Sequence, residues 1–190
     1  MNGILRKLPI GIQTFEKLRE GDYLYVDKTA FVWRIANTGK PYFFNRPRRF
    51  GKSLLLSTFE AYFEGKKNLF EGLAIADMEK EWKTYPVFHL DLNAEKYDSP
   101  QALVEILSRQ LTQWELKYGK GEDEETLSGR FAGTLRRASE QSGRGVVVLV
   151  DEYDKPLLQA LGDNALLDDY RKTLKAFYGV LKSSDRYLRF

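Results

Sequence analysis

The sequence predicts an α/β fold: a mostly parallel sheet with helices on both faces. Three observations carry that prediction. Apolar runs at 41–44, 85–92 and 146–150 read as strands and alternate with segments whose apolar residues recur at helical spacing. The run Val146-Val147-Val148-Leu149-Val150 is unbroken and mostly β-branched, as in a strand covered on both faces. Two polar stretches, 45–53 and Asp151-Glu152, follow such runs directly, and parallel sheets bind their ligands at the carboxyl ends of their strands.

Taken in order, 9–25 forms a compact lead-in with turns at Gly11 and Gly21-Asp22. Asp27 or Thr29 caps a helix over 29–38, with Phe31, Val32 and Ile35 on its apolar face and Gly39 as its stop. A strand over 41–45 precedes a tight loop. The helix after Gly51 carries Leu55, Phe59, Tyr62 and Phe63 and ends near Gly65. A connection over 68–84 leads to the second strand, 85–92. Ser99-Pro100 starts a helix, a capping hydroxyl followed by proline in the first turn, with Leu103, Leu107, Leu111 and Trp114 buried. The acidic run 119–125 is a solvated loop, or else an element that meets nucleic acid or metal. The next helix presents Leu127, Phe131, Leu135 and Ala138 and stops at Ser142-Gly143. After the strand at 146–150, the last helix, 164–183, shows Leu167, Tyr170, Leu174, Phe177 and Leu181; a further strand begins at 187–190.

Composition narrows the chemistry. A length of 190 residues suits one domain, read as a lead-in over 1–40 and a core over 41–190. Apolar residues at 43% and charged residues at 30% describe a globular chain, and a net charge of +3 gives no overall basic field for nucleic acid. Without cysteine there is neither a disulfide framework nor a thiolate metal site, which suits a reducing cytoplasm. A single histidine, His89, excludes a His-rich metal centre and weighs against a Ser-His-Asp triad. The amino-terminal residues form no signal-peptide core and no run reaches membrane-spanning length, so the expected location is cytoplasmic, with no membrane partner.

The candidate chemistry centres on Asn45-Arg46-Pro47-Arg48-Arg49-Phe50-Gly51-Lys52-Ser53, leading into Leu54. A strand, a loop ending in Gly-Lys-Ser and a helix together grip a nucleoside triphosphate. Backbone N–H groups at the helix start point at phosphate, the helix dipole favours the anion, Lys52 meets the β/γ oxygens and the Ser53 hydroxyl reaches Mg²⁺. The general pattern has glycine where this chain has Arg46. The complementary element is the strand ending in Asp151-Glu152: Asp151 would hold hydrated Mg²⁺ and Glu152 would polarise the attacking water. A polar strand end running into a turn at 153–156 is the other reading of those acids. Arg46, Arg48 and Arg49 are open to three readings: direct contact with the nucleotide's phosphates, contact with a nucleic-acid backbone, or solvated and structural pairing. His89 reads as a core or sheet-end histidine before a catalyst, and Asp91 as a turn acid before a site acid. Tyr23, Tyr25 and Phe31 either pack in the core or shelter an adenine.

These residues are similar to a known family. The motifs are Leu8-Pro9-Ile10-Gly11-Ile12-Gln13 with Phe15-Glu16-Lys17-Leu18, then Tyr23-Leu24-Tyr25-Val26-Asp27-Lys28-Thr29 and Gly39-Lys40-Pro41-Tyr42-Phe43. Arg46-Pro47-Arg48-Arg49-Phe50-Gly51-Lys52-Ser53-Leu54 and Val150-Asp151-Glu152-Tyr153-Asp154-Lys155-Pro156 complete the set. Together they resemble the bacterial AAA-ATPase-like family, whose members often carry a carboxyl-terminal restriction-endonuclease-like nuclease domain. The resemblance covers essentially the whole chain, and the Arg46-Pro47-Arg48-Arg49 form of the loop is the family's usual one. It implies a three-layer P-loop NTPase-type fold, with a further strand between those preceding Lys52 and Asp151. It implies ATP with Mg²⁺, bound along Arg46, Pro47, Arg48, Arg49, Phe50, Gly51, Lys52, Ser53 and Leu54, with Ser53 and Asp151 at the metal and Glu152 as base. It also implies that a γ-phosphate sensor, an arginine finger, a lid and any nuclease domain, through which nucleic acid would be engaged, lie beyond Phe190.

Three functions are therefore on the table. The first is an ATP-binding and ATP-hydrolysing switch or motor for an attached or partner domain, with a homo-oligomer among its states. The second is a nucleic-acid-binding module built on the loop arginines, and the third a small-molecule phosphotransferase.

Overall fold

The structure is a computed structural model that describes residues 6–39, 41–45, 47, 50–93 and 96–190. The chain divides into two compact units. Unit 1 takes the described residues through Val87 together with Phe190, and unit 2 spans Phe88–Arg189.

Unit 1 is helical. Helix α1 (Phe15–Glu20) buries Phe15 and Leu18, and α2 (Thr29–Ala36) buries Val32 and Ala36. Helix α3 (Lys52–Phe63) brings Phe59, Tyr62 and Phe63 to the same core, and a short 3-10 turn at Lys67–Phe70 and α4 (Ala74–Met78) add Leu69, Phe70 and Ile75. Asp27 joins two of these helices. Its Oδ1 accepts the Thr29 N–H at 2.8 Å and the Thr29 hydroxyl at 2.7 Å, and its Oδ2 accepts the Ala74 N–H at 2.7 Å, so one carboxylate serves the starts of α2 and α4. Burial alone would raise the Asp27 pKa, but the Ala74 and Thr29 hydrogen bonds outweigh it and hold the carboxyl below its usual value.

Unit 2 is α/β. Strands β1 (Val87–Asp91) and β2 (Val147–Asp151) lie side by side in a parallel pair, and Val146 forms a parallel bridge to Leu188, where the sequence suggested a strand beginning. Helix α5 (Pro100–Tyr118) starts as expected, with the Ser99 hydroxyl accepting the Ala102 N–H and Pro100 in the first turn. Helix α6 (Leu127–Ser142) ends at Gly143, whose φ of 64° is the left-handed conformation glycine adopts without penalty. Helix α7 (Lys155–Gln159) and the 20-residue α8 (Asn164–Ser183) complete the unit.

The predicted apolar faces meet in a single core containing Phe88 and Leu90 of β1 and the buried rows of α5, α6 and α8. A column of stacked rings runs through it. Phe88 stacks on Trp114 at 4.4 Å, Trp114 on Phe131 at 5.7 Å and Phe131 on Phe177 at 4.5 Å between centroids. On β2, Val147 and Leu149 are fully buried while Val148 and Val150 are partly buried against that core, so both faces of the strand are covered.

One expectation is corrected. The stretch 41–45 is irregular chain, not a strand; Tyr42, Phe43 and Phe44 are exposed, with Phe43 at 69%. Its apolar character is used differently. The Tyr42 ring stacks on Phe190, its hydroxyl shares a hydrogen bond with Thr38, and prolines at 41 and 47 flank the run without N–H groups to donate to a ladder. Among the described residues the sheet therefore has two strands and one bridge, smaller than the mostly parallel sheet of a three-layer fold. The connection 68–84 also holds helical turns, and 153–156 leads into α7. The acidic loop has one exception to its expected solvation. Glu124 forms a bidentate pair with Arg137, and its side chain is only 12% exposed.

Candidate functional site

The two halves of the candidate site belong to different units. In unit 1, Gly51 is the residue before α3 and has φ 74°, which a β-carbon would strain. An added Cβ there would meet nothing within 4 Å, so the backbone is open to close approach. No side chain caps α3 and its first turn holds no acidic residue, which leaves its leading N–H groups and dipole suited to an anion. Lys52, Ser53 and Leu54 form that first turn, half-buried, and the Gly51 carbonyl accepts the Leu55 N–H at 2.9 Å. Pro47 and Phe50 are exposed. Arg46, Arg48 and Arg49 lie outside the described residues, as does Lys40 of the upstream motif. The expected strand before the loop is absent, so of the two polar stretches only Asp151-Glu152 follows a strand.

In unit 2, Asp151 ends β2 with only 6% exposure. Its Oδ1 accepts the Glu152 N–H at 3.0 Å, and its carbonyl accepts the Leu92 N–H at 3.2 Å, which ties it to the end of β1. Burying a carboxylate is costly without a cation or several donors. Glu152, half-buried, adopts φ 51°, a left-handed conformation uncommon for a residue with a side chain. Non-glycine residues in that region cost about 1–3 kcal/mol and collect at functional sites. The Lys155 N–H closes a turn on the Glu152 carbonyl at 3.0 Å. The Lys155 ammonium donates to the Asn93 carbonyl at 2.8 Å and to the Asn93 side-chain oxygen. Asp91 is exposed and its Oδ1 accepts the Asn93 N–H at 2.8 Å, the turn role expected of it. Neighbouring Tyr153 has its hydroxyl pKa raised, first by burial and then by the Asp154 carboxylate.

Asn93 was not singled out by sequence reasoning, and Lys155 entered only as part of the motif 150–156, with no role of its own. The signal available was a lysine three residues after Glu152, before a proline, which reads as an ordinary turn. Of the aromatic residues considered for an adenine, Tyr25 packs edge-on against Phe15 at 5.2 Å, with its hydroxyl pKa raised mainly by burial, whereas Phe31 is 61% exposed. His89 sits half-buried in β1.

Each unit offers one part of what a magnesium nucleotide needs: in unit 1 a helix start without a capping side chain or an acid suits phosphate, and in unit 2 a buried carboxylate at a strand end suits a hydrated cation. Among the described residues no group of three or more acidic or histidine side chains could hold a metal by itself. Nor is any described helix long and apolar enough to cross a membrane.

Comparison with known proteins gives a relative and a family. An uncharacterized protein in the vnfD 5′ region of Azotobacter chroococcum mcd 1 is 41% identical over 186 residues, a match covering 97% of this chain and 36% of that protein. The chain thus spans little more than a third of that relative's length. No solved structure matches it. A family model described as a predicted AAA-ATPase matches residues 9–190, and on that match the chain belongs to the AAA-ATPase-like family.

Proposed function

We propose that the chain is the nucleotide-handling part of an Mg²⁺-dependent ATPase that acts as switch or motor for an attached or partner domain, a nuclease domain being the attachment the family resemblance suggests. The family match over 9–190 carries the proposal. The left-handed Gly51 before an uncapped α3 and the buried Asp151 at the end of β2 support it. We assign residues 1–190 to one NTPase domain of the three-layer P-loop type.

In this assignment Lys52 neutralises charge on the β- and γ-phosphates, and the leading N–H groups of α3 hydrogen-bond phosphate oxygens. Arg46, Pro47, Arg48, Arg49, Phe50 and Leu54 line the same loop. Ser53, by its hydroxyl, and Asp151, by its carboxylate, are the residues that would hold Mg²⁺. Glu152 accepts a proton from the attacking water and orients it in line with the γ-phosphorus. Bound Mg-ATP supplies the phosphoryl electrophile and the charge that stabilises the leaving group. ATP is preferred to GTP on the family assignment alone.

Calorimetric titration of the 190-residue chain with Mg-ATP tests the proposal. Lys52→Ala should weaken binding about tenfold or more, the worth of a charged contact to phosphate. Equal binding by both proteins, or none by either, would overturn it. Salt-dependent retention of DNA or RNA by a chain that ignores Mg-ATP would favour the nucleic-acid module instead.

A further inference from the structure

Glu152 has an unusual backbone, and an unusual backbone must be held. The holding contacts form a closed circuit at the carboxyl ends of β1 and β2. The Asp151 Oδ1 accepts the Glu152 N–H, the Glu152 carbonyl accepts the Lys155 N–H, and the Lys155 ammonium donates to two oxygens of Asn93. The Asn93 N–H donates to Asp91, and the Leu92 N–H between them returns to the Asp151 carbonyl. Every link involves a loop residue, and the only side chain crossing from the β2 turn to the loop after β1 in this circuit is that of Lys155.

We infer that Lys155 is a positioning residue for Glu152, which it serves by tying the left-handed Glu152 turn to the loop at Asn93; the inference rests on the ATP-hydrolysis proposal above. A lysine here suits the task. Its ammonium carries three donors on a flexible stem, so it can satisfy a carbonyl and an amide oxygen together. With the tie in place, Glu152 has one backbone conformation and its carboxylate one approach to water. Without it, the turn relaxes from φ 51° toward the ordinary regions, and the carboxylate is displaced although its chemistry is unchanged.

The experiment is single-turnover hydrolysis of Mg-ATP by excess 190-residue chain, with ATP affinity measured in parallel. Lys155→Met should slow hydrolysis about tenfold while the Kd for ATP stays within about twofold, as befits loss of orientation without loss of a ligand contact. Lys155→Arg should recover part of the rate. Asn93→Ala, which keeps the main-chain acceptor, should slow it less, and the double variant Asn93→Ala/Lys155→Met should be no slower than Lys155→Met. Hydrolysis by Lys155→Met at the wild-type rate, or a Kd weakened as much as the rate, would overturn the inference and leave the ATPase proposal standing. If Lys155→Met does not fold, full activity in Lys155→Arg and Asn93→Ala together would overturn it equally. A wild-type chain that binds Mg-ATP but hydrolyses none would overturn the inference alone, and one that does not bind Mg-ATP would overturn both.

Discussion

Glu152 combines a proposed proton acceptor with a backbone conformation that disfavours any side chain. The two properties separate by substitution. Glu152→Gln keeps the shape and removes the base, so ATP hydrolysis should fall about 100-fold or more with Mg-ATP affinity retained. Glu152→Gly removes both the base and the left-handed penalty. Its hydrolysis should fall equally, yet thermal unfolding should show a gain of up to about 1 kcal/mol, less what the glycine adds to the unfolded chain's entropy. A Glu152→Gly protein less stable than wild type would mean the turn is unstrained. At this scale the sequence was informative where a residue's type is itself the chemistry: lysine, serine and paired acids after apolar runs. It was silent on Asn93, which enters only because folding sets its carbonyl before the Lys155 ammonium.

Among the elements, α5 and α6 show why long helices were readable and short ones were not. Ser99-Pro100 and Gly143 mark their ends, and four turns of period leave no doubt about the buried face. Helices α1, α4 and α7 have five or six residues, too few for a period, and form because the unit around them supplies the burial. The run 41–45 misled for a different reason: its apolar residues stay exposed, and the prolines at 41 and 47 that flank it have no N–H to give to a ladder. Between α5 and α6, polar pairs set the fit. Arg130 is held bidentately by Glu115, with contacts of 2.8 and 2.7 Å, and Arg137 by Glu124. Gly133 makes room for the second pair, since a Cβ there would lie 1.7 Å from Glu124 Oε1. Alanine is the better helix former by about 1 kcal/mol. Gly133→Ala should nevertheless destabilise the protein by about 1–3 kcal/mol in urea titration, because the carboxylate must leave Arg137. A stabilised variant would show that the pair shifts freely.

For the molecule as a whole, the carboxylates set the acid limit. The Arg130 guanidinium holds the Glu115 carboxyl below its ordinary 4.5, and the Arg137 guanidinium does the same for Glu124. Groups titrating lower when folded than when unfolded contribute stability that is complete above the unfolded pKa and lost as pH falls through the folded one. Thermal stability should therefore hold from neutral pH down to about 5 and decline below about 4.5, and Glu115→Gln should shallow that decline while lowering stability at neutral pH. A stability unchanged between pH 6 and 3 would contradict this. The division into units has a further consequence. Phe190 packs against Phe59 and Phe63 at 5.3 Å in unit 1, although about a hundred residues of unit 2 precede it in the chain. While unit 2 is unfolded, seating that ring means closing a loop of that length, at an entropy that grows with the logarithm of its size. Once unit 2 has folded, the loop is no longer slack. The seat of Phe190 on α3 thus forms at a cost that depends on the folding of unit 2, and loosening the Phe131 column should raise hydrogen exchange in α3 as well as in α6.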